Sequence, residues 1–200
     1  SFAAGYKTTA SGSAAFAISN SSTATGASSF AGGGLNGVNA PLASGDQSFA
    51  WGYIANAVGT TSFALGNEVT ANGTSSAVLG WRNTVNNSAE FAAGQYSIDD
   101  TVGDGTIFKI GTGLDPVSRY NGITVFRKND TDGYNTFVAI GSTANTLPSR
   151  VGSEALRVYG GALADKVYVK DINDVTGAAT DKLVVADLTT GQLKTITFST

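Results

Sequence analysis

The chain has no cysteine, no histidine and no methionine, and only three prolines among its 200 residues. Without cysteine there is no disulfide framework and no thiol chemistry. That absence fixes no compartment, but it suits an exposed, oxidising one. Losing histidine as well removes the commonest general base, the usual zinc ligands and the base partner of most nucleophiles. Charge is sparse too, with 12 basic and 15 acidic residues and a net charge of −3. Such a chain has no basic footprint for nucleic acid and no polybasic membrane anchor. No apolar run is long enough to cross a membrane, no signal-peptide pattern is present, and no stretch has a helical period. Apolar content is ordinary at 42%, but Ala, Gly, Ser and Thr make up much of the chain, so a compact monomeric core would be thin.

What the chain does have is an echo. It reads Ser1-Phe-Ala-Ala-Gly5, Ala15-Phe-Ala-Ile-Ser19, Ser29-Phe-Ala-Gly-Gly33, Ser48-Phe-Ala-Trp-Gly52, Ser62-Phe-Ala-Leu-Gly66, Ser76-Ala-Val-Leu-Gly80 and Glu90-Phe-Ala-Ala-Gly94. Copies start 14 residues apart, except for a step of 19 from Ser29 to Ser48. A second echo, Ala-x-Gly, lies between them at Ala10–Gly12, Ala24–Gly26, Ala43–Gly45, Ala57–Gly59 and Ala71–Gly73, and decays to Val85-Asn-Asn87. A fixed short period is the signature of a solenoid. The chain opens in mid-repeat without a methionine, so we expect a fragment of a longer protein.

Five alternating residues make a short strand, and a glycine closes it where a tight turn needs positive φ. The second half of each period is expected to supply another strand and another glycine turn, giving one coil of a parallel β-solenoid. Positions 1, 3 and 5 are small. Positions 2 and 4 carry the bulk: Phe2, Phe16, Ile18, Phe30, Phe49, Trp51, Phe63, Leu65, Leu79 and Phe91. Alternation sends the two sets to opposite faces. Neither face is charged, whereas a strand with one wet side shows a polar face. One set is therefore expected to fill the coil and the other to pack on sister chains around an axis. Which set takes which task is left open by the pattern.

The Ser-x-Ala-x-Gly…Ala-x-Gly unit resembles the head repeat of trimeric autotransporter adhesins, which also recurs in tail fibres of phages and phage-like particles. The resemblance covers about residues 1–95. It implies a left-handed β-roll in which three chains bundle into an intertwined homotrimer. It also implies an extracellular place, on a virion tail or a bacterial surface, and a glycan or protein receptor on a cell. An adhesin head usually leads into a neck and a coiled-coil stalk, and neither pattern follows here.

Residues 33–41 hold the five-residue insertion that breaks the period. Insertions in solenoids go to loops on one face, often the binding face, which makes Asn36 a candidate ligand contact. A tolerated surface loop is the simplest account of the same residues. A phosphate cradle is disfavoured, because no Lys-Ser/Thr follows and no helix begins. The turn position after the first strand is aromatic in three coils, at Tyr6, Tyr53 and Trp81. These aromatics offer sugar rings a rigid apolar face, or else they shield the ends of a trimer interface.

Near residue 96 the echo stops. We read residues 1–95 as β-roll head repeats, 96–105 as a transition and 106–200 as a β-rich fibre module, so the whole chain is all-β. Strands are expected at Thr106–Ile110, Gly122–Arg127, Thr136–Ile140, Ala155–Tyr159, Lys166–Lys170, Leu183–Ala186 and Leu193–Phe198. Parts of 105–170 resemble the shafts of phage and phage-like tail fibres. The last two strands should form a hairpin leading into a further domain. Asp130 and Asp132, in Asn-Asp-Thr-Asp-Gly133, suggest a calcium loop. Position 12 of such a loop would be Gly141 rather than Glu, and a hairpin turn explains the same residues. The adjacent Arg127 and Lys128 read as a solvated strand end.

An enzyme would have to work with carboxylates alone. The densest acids, Asp99, Asp100 and Asp104, then Asp130 and Asp132, sit in glycine-containing turns where Asp caps the backbone. The three glutamates, Glu68, Glu90 and Glu154, have no acidic partner in sequence. We therefore expect no catalysis, no cofactor, no metal, no nucleic-acid partner and no membrane insertion. Two classes remain: an attachment fibre, or a passive spacer within a longer fibre. Seven coils at the strand spacing give about 33 Å, long enough to space but short for a whole fibre.

Overall fold

A computed structural model describes residues 1–34, 40–100, 105–130, 133–142, 156–158, 183–186 and 193–196. For 128–130, 133–135 and the last three segments it describes the backbone alone. The chain divides into two compact units, Ser1–Ala162 and Leu163–Thr200. All described regular structure is strand, and the repeats form a parallel β-solenoid.

Each copy of the first echo lies on the next in parallel, phenylalanine on phenylalanine. Phe2 pairs with Phe16, Phe16 with Phe30, Phe30 with Phe49 and Phe49 with Phe63. The 19-residue step leaves this register intact, so the insertion is absorbed outside the ladder. The second strands stack in the same way, Thr9 on Thr23, Thr23 on Leu42, Leu42 on Asn56, Asn56 on Thr70 and Thr70 on Thr84.

The face assignment is now explicit. The small set fills the coil: Ala17, Ala31, Ala50, Ala64, Val78 and Ala92 are fully buried, and Ala24, Ala43, Ala57, Ala71 and Val85 line the opposite wall. The bulky set points out. Phe2, Phe16, Phe30, Phe49 and Phe63 form a ladder with ring centroids 4.8–5.2 Å apart and planes within 15°. Offset-stacked rings attract beyond the area they bury. Ala77 interrupts the ladder, and Phe91 on Phe108 at 5.6 Å resumes it. The two outer faces of a coil thus differ: the first strand shows an apolar ladder, the second a row of Thr and Asn.

The expected second glycine turn forms, with Ser62 N donating to Gly59 O at 3.1 Å, but its glycine is not there for a positive φ. Gly5, which follows the strand Phe2–Ala4, has φ +134° as foreseen, and so does Gly52 at the same place in its coil. Gly59, from the Ala-x-Gly echo, does not have a positive φ. It is glycine because an added Cβ would overlap the carbonyl oxygen of Gly73 in the next coil. The positive φ falls instead on non-glycine corners, among them Ile54, Glu68 and Arg82 (φ 52–54°) and Thr61, Ser75 and Ala89 (φ 55–56°). A left-handed L-residue costs roughly 1–2 kcal/mol. The stack offsets this cost, because such corner amides donate to the coil before: Arg82 N to Asn67 O at 2.9 Å, Thr61 N to Asp46 O at 2.8 Å and Ser75 N to Thr60 O at 2.8 Å.

The sheet continues past the last clear repeat. Phe91–Gln95 pairs in parallel with Thr106–Thr112, placing Phe108 on Phe91, Lys109 on Ala92 and Gly111 on Gly94. Asn121–Asp130 and Gly133–Ile140 then add an antiparallel hairpin, with Lys109 opposite Thr124 and Thr124 opposite Ala139. Here the interior changes from alanine to the stacked pair Phe126 and Phe137, centroids 5.6 Å apart. Leu156–Val158 pairs in parallel with Gly133–Ile140. In the second unit, Leu183–Ala186 and Leu193–Ile196 form the expected antiparallel hairpin. The expected strand Lys166–Lys170 lies outside the described residues.

Candidate functional site

Three surfaces or clusters carry chemistry: one corner of the coils, the outer face of the first strands, and a buried charged group where the alanine interior ends.

The corner follows the first strand. Tyr6, Tyr53 and Trp81 occupy the same place in their coils, so the structure lines them along one edge without bringing them into contact. Tyr53 pairs in register with Asn67, Asn67 with Trp81 and Trp81 with Gln95. Tyr6 is 65% exposed and lies beside Lys7, whose Nζ is 5.2 Å from the ring centroid. Trp81 is 41% exposed, flanked in its row by the exposed residues Asn67 and Gln95, the latter donating Nε2 to the Gly113 carbonyl at 3.0 Å. Beneath it lies a firm support. Its ring is 5.0 Å from that of buried Tyr96, and the Arg82 guanidinium carbon is 5.7 Å from the same ring. Arg82 holds Glu68 through Nη2 to Oε1 at 3.0 Å, with Nε 2.7 Å from Oε2 but off the line of its N–H. That hydrogen bond with Glu68 raises the Arg82 pKa further above its ordinary value. Arg119 completes the patch, donating to the carbonyls of Arg82 (3.2 Å) and Ser97 (2.7 Å) and to Asp99 (3.0 Å). Sequence reasoning found Trp81 but missed Asn67 and Gln95, whose signal was their place in the repeat. Asn36 lies outside the described residues.

The outer face is apolar along ten strands in two lanes. One lane runs Phe63, Ala77, Phe91, Phe108, Val125 and Val138 in register, continuing the ladder from Phe2. The other runs Trp51, Leu65 and Leu79, then Ala93, Ile110, Ile123 and Ile140. Trp51, Ile123 and Ile140 are 37%, 39% and 45% exposed. The outward row is thus apolar over ten successive strands, where a strand face open to water is ordinarily polar.

The third feature is the buried cluster. Lys109 takes the interior place that alanine holds in the coils, and its Nζ lies 2.6 Å from Asp100 Oδ1 and 3.0 Å from Glu90 Oε1. All three side chains have no solvent exposure. Glu90 stands where other copies have a buried serine, and Asp100, expected in a turn, is buried here. Backbone amides of Asn86 (3.1 Å) and Asn87 (3.0 Å) hold Glu90 Oε2, and Asn87 Nδ2 donates to Asp100 Oδ2 at 2.7 Å. Burial, then the neighbouring Asp100, push the Glu90 carboxyl up to about 7 against the pull of Lys109. Burial also pushes Asp100 up, but Glu90 and Lys109 more than offset it and hold Asp100 below its ordinary range.

This cluster makes stability depend on pH. Folded, Glu90 keeps its proton to about pH 7; unfolded, it loses it near 4.5. Between those values the folded chain binds more protons, so stability falls as pH rises, by on the order of 3 kcal/mol across the interval. Thermal melting should be higher at pH 5.5 than at pH 8, and Glu90→Gln should flatten that slope. Melting that rises with pH across this window in the unaltered chain would refute the assignment.

The other acids are placed more simply. Asp99 is exposed and paired with Arg119, and Asp104 and Asp132 lie outside the described residues. The Asp130 backbone pairs with Gly133 at the end of the hairpin. No group of three or more potential metal-ligating side chains occurs among the described residues. The sequence matches no family of known proteins and no curated protein.

Proposed function

We propose that this chain is a segment of a homotrimeric attachment fibre, most akin to a phage or phage-like tail fibre, that reads a glycan or protein on a cell surface without catalysis. The observation that carries the reading is the apolar ribbon. Phenylalanine and isoleucine side chains lie in register on the outside of successive strands, while the other sheet shows Thr and Asn. Two sister chains in parallel would present ribbons of the same period and cover all three. The edge bearing Trp81 then remains at the corner of each coil, accessible from outside. There an aromatic face stacks on the apolar side of a sugar ring, and the flanking Asn67 and Gln95 amides meet its hydroxyls. Such a fibre would stand outside the cell, on a virion tail.

The test is binding of labelled, purified oligomer to intact bacteria and, in parallel, to host matrix proteins, with the mass measured by light scattering. A trimeric mass with saturable binding to particular bacteria is the expected result. Trp81→Ala should then weaken binding roughly tenfold or more without changing the mass. Binding to matrix proteins instead would make the chain an adhesin head. Trimers that bind neither would make it a spacer, and a monomeric mass would end the fibre reading.

A further inference from the structure

The cluster of Lys109, Asp100 and Glu90 has the parts of a reaction as well as of an ion pair. An amine and a carboxyl group stand 2.6 Å apart with no solvent exposure. A second carboxyl, Glu90, reaches the same nitrogen, and its Oε1 makes no hydrogen bond although it lies 3.0 Å from Nζ. Its other oxygen is pinned by two backbone amides, which aims Oε1 into the cluster. On the far side of Asp100, Asn87 Nδ2 donates to Oδ2 at 2.7 Å, where it would stabilise negative charge on that oxygen. Nothing in the fold explains why the alanine row should end on a lysine held between two acids. A buried ion pair is a weak source of stability, because desolvation consumes most of its attraction.

We propose that Lys109 and Asp100 are joined by an intramolecular amide bond, formed spontaneously in the folded chain, with Glu90 shuttling the protons. The Lys109 ammonium first passes a proton to the Asp100 carboxylate; this step runs against the pairing that keeps Asp100 ionised, and the dry surroundings lower its cost because the transfer removes both charges. The neutral amine is then a nucleophile, held at reacting distance without any cost of encounter. Nζ attacks Cγ of Asp100, forming the C–N bond, while the Asn87 amide steadies the oxygen that gains charge. Glu90, protonated, gives its proton to the departing oxygen and takes one from the nitrogen. The C–O bond breaks and one water leaves. An ammonium and a carboxylate become an amide and water; no oxidant and no co-reactant are needed, and Glu90 ends as it began. The bond would tie the end of the last coil to the strand Thr106–Thr112, at the place where the narrow alanine interior gives way to the wider phenylalanine one.

The experiment is mass spectrometry of the intact, folded chain, followed by peptide mapping. We expect the mass to be short by one water and trypsin to leave Lys109 uncut. Both residues fall in one tryptic peptide, Asn83–Arg119, which should carry the loss as an internal loop. Cutting after Phe108 with chymotrypsin should open that loop into a branched peptide joining the segments of Lys109 and Asp100. Mapping is needed because Asp104-Gly105 and Asp132-Gly133 can also lose water by closing to a succinimide. Water lost with Lys109 still cleavable would therefore overturn the proposal, as would a chain of full mass. Glu90→Gln preserves size and hydrogen bonding but cannot shuttle the proton; it should fold, show the same strand signature by circular dichroism, and have its full mass. A folded Glu90→Gln chain that still carries the branched peptide would overturn the role given to Glu90.

Discussion

Ala64→Leu is expected to destabilise the coils around it more than any other single change to their interior row. Ala64 is fully buried in the interior row, between Ala50 and Val78 on the neighbouring strands. The coil is narrow because its walls are joined by tight corners and its interior is mostly methyl groups. Three added carbon atoms have nowhere to go, since widening one coil would break the corner hydrogen bonds to the coils on either side. Overpacking a dense core costs about 1–3 kcal/mol, sometimes more, and this site belongs at the upper end. Thermal melting should fall by roughly 6–12 °C for a change of that size. Ala64→Ser should do far less, because serines already occupy buried places in the same strands, as at Ser62 and Ser76. Melting within a degree or two of the parent for Ala64→Leu would mean that the interior is not packed as described.

Phe63 and Ala64, adjacent in sequence, mark how far this packing was legible in the chain. Its period and the Phe-on-Phe register were legible, because a coil can repeat only if equivalent residues stack. The direction of the faces was not. Alternation separates Phe63 from Ala64 but cannot say which faces inward, and the usual expectation that large apolar residues fill a core points the wrong way. Only the narrowness of a 14-residue coil reverses it. The second glycine row was misread for a related reason. Turn chemistry and close approach of two backbones both select glycine, and at Gly59 the carbonyl of Gly73 makes the selection.

The buried cluster was hidden differently. Phe108-Lys-Ile-Gly111 stacks on Phe91-Ala-Ala-Gly94 as an eighth copy, but a step of 17 and a lysine in place of alanine disguised it. Two signals were available: Glu90 replacing a serine that is buried elsewhere, and a lysine within an otherwise apolar strand. At the coil edge the repeat found Trp81 because aromatics draw attention, and passed over Asn67 and Gln95 in the same row.

Phe63→Asp, one residue from Ala64, should have the opposite phenotype: coils intact, assembly lost. Phe63 faces outward, half-buried, and stacks on Phe49 at 4.8 Å. Within one chain the change forfeits that stacking, about 0.5–1.5 kcal/mol beyond the area term, and leaves the carboxylate able to reach water. In the proposed trimer the same carboxylate would be buried against sister chains and repeated three times around the axis. Burying an unpaired charge costs several kcal/mol for each ion, and three like charges brought together add to it. The expected result is a monomeric mass by light scattering with a strand-rich circular dichroism spectrum close to that of the parent. Thr70→Asp provides the control, because Thr70 lies on the polar row between Asn56 and Thr84 and should leave the mass trimeric. If Phe63→Asp stays trimeric with unchanged melting, the ribbon is not the seam between chains. If Thr70→Asp dissociates instead, the polar row is the seam, and the apolar face must meet some other partner.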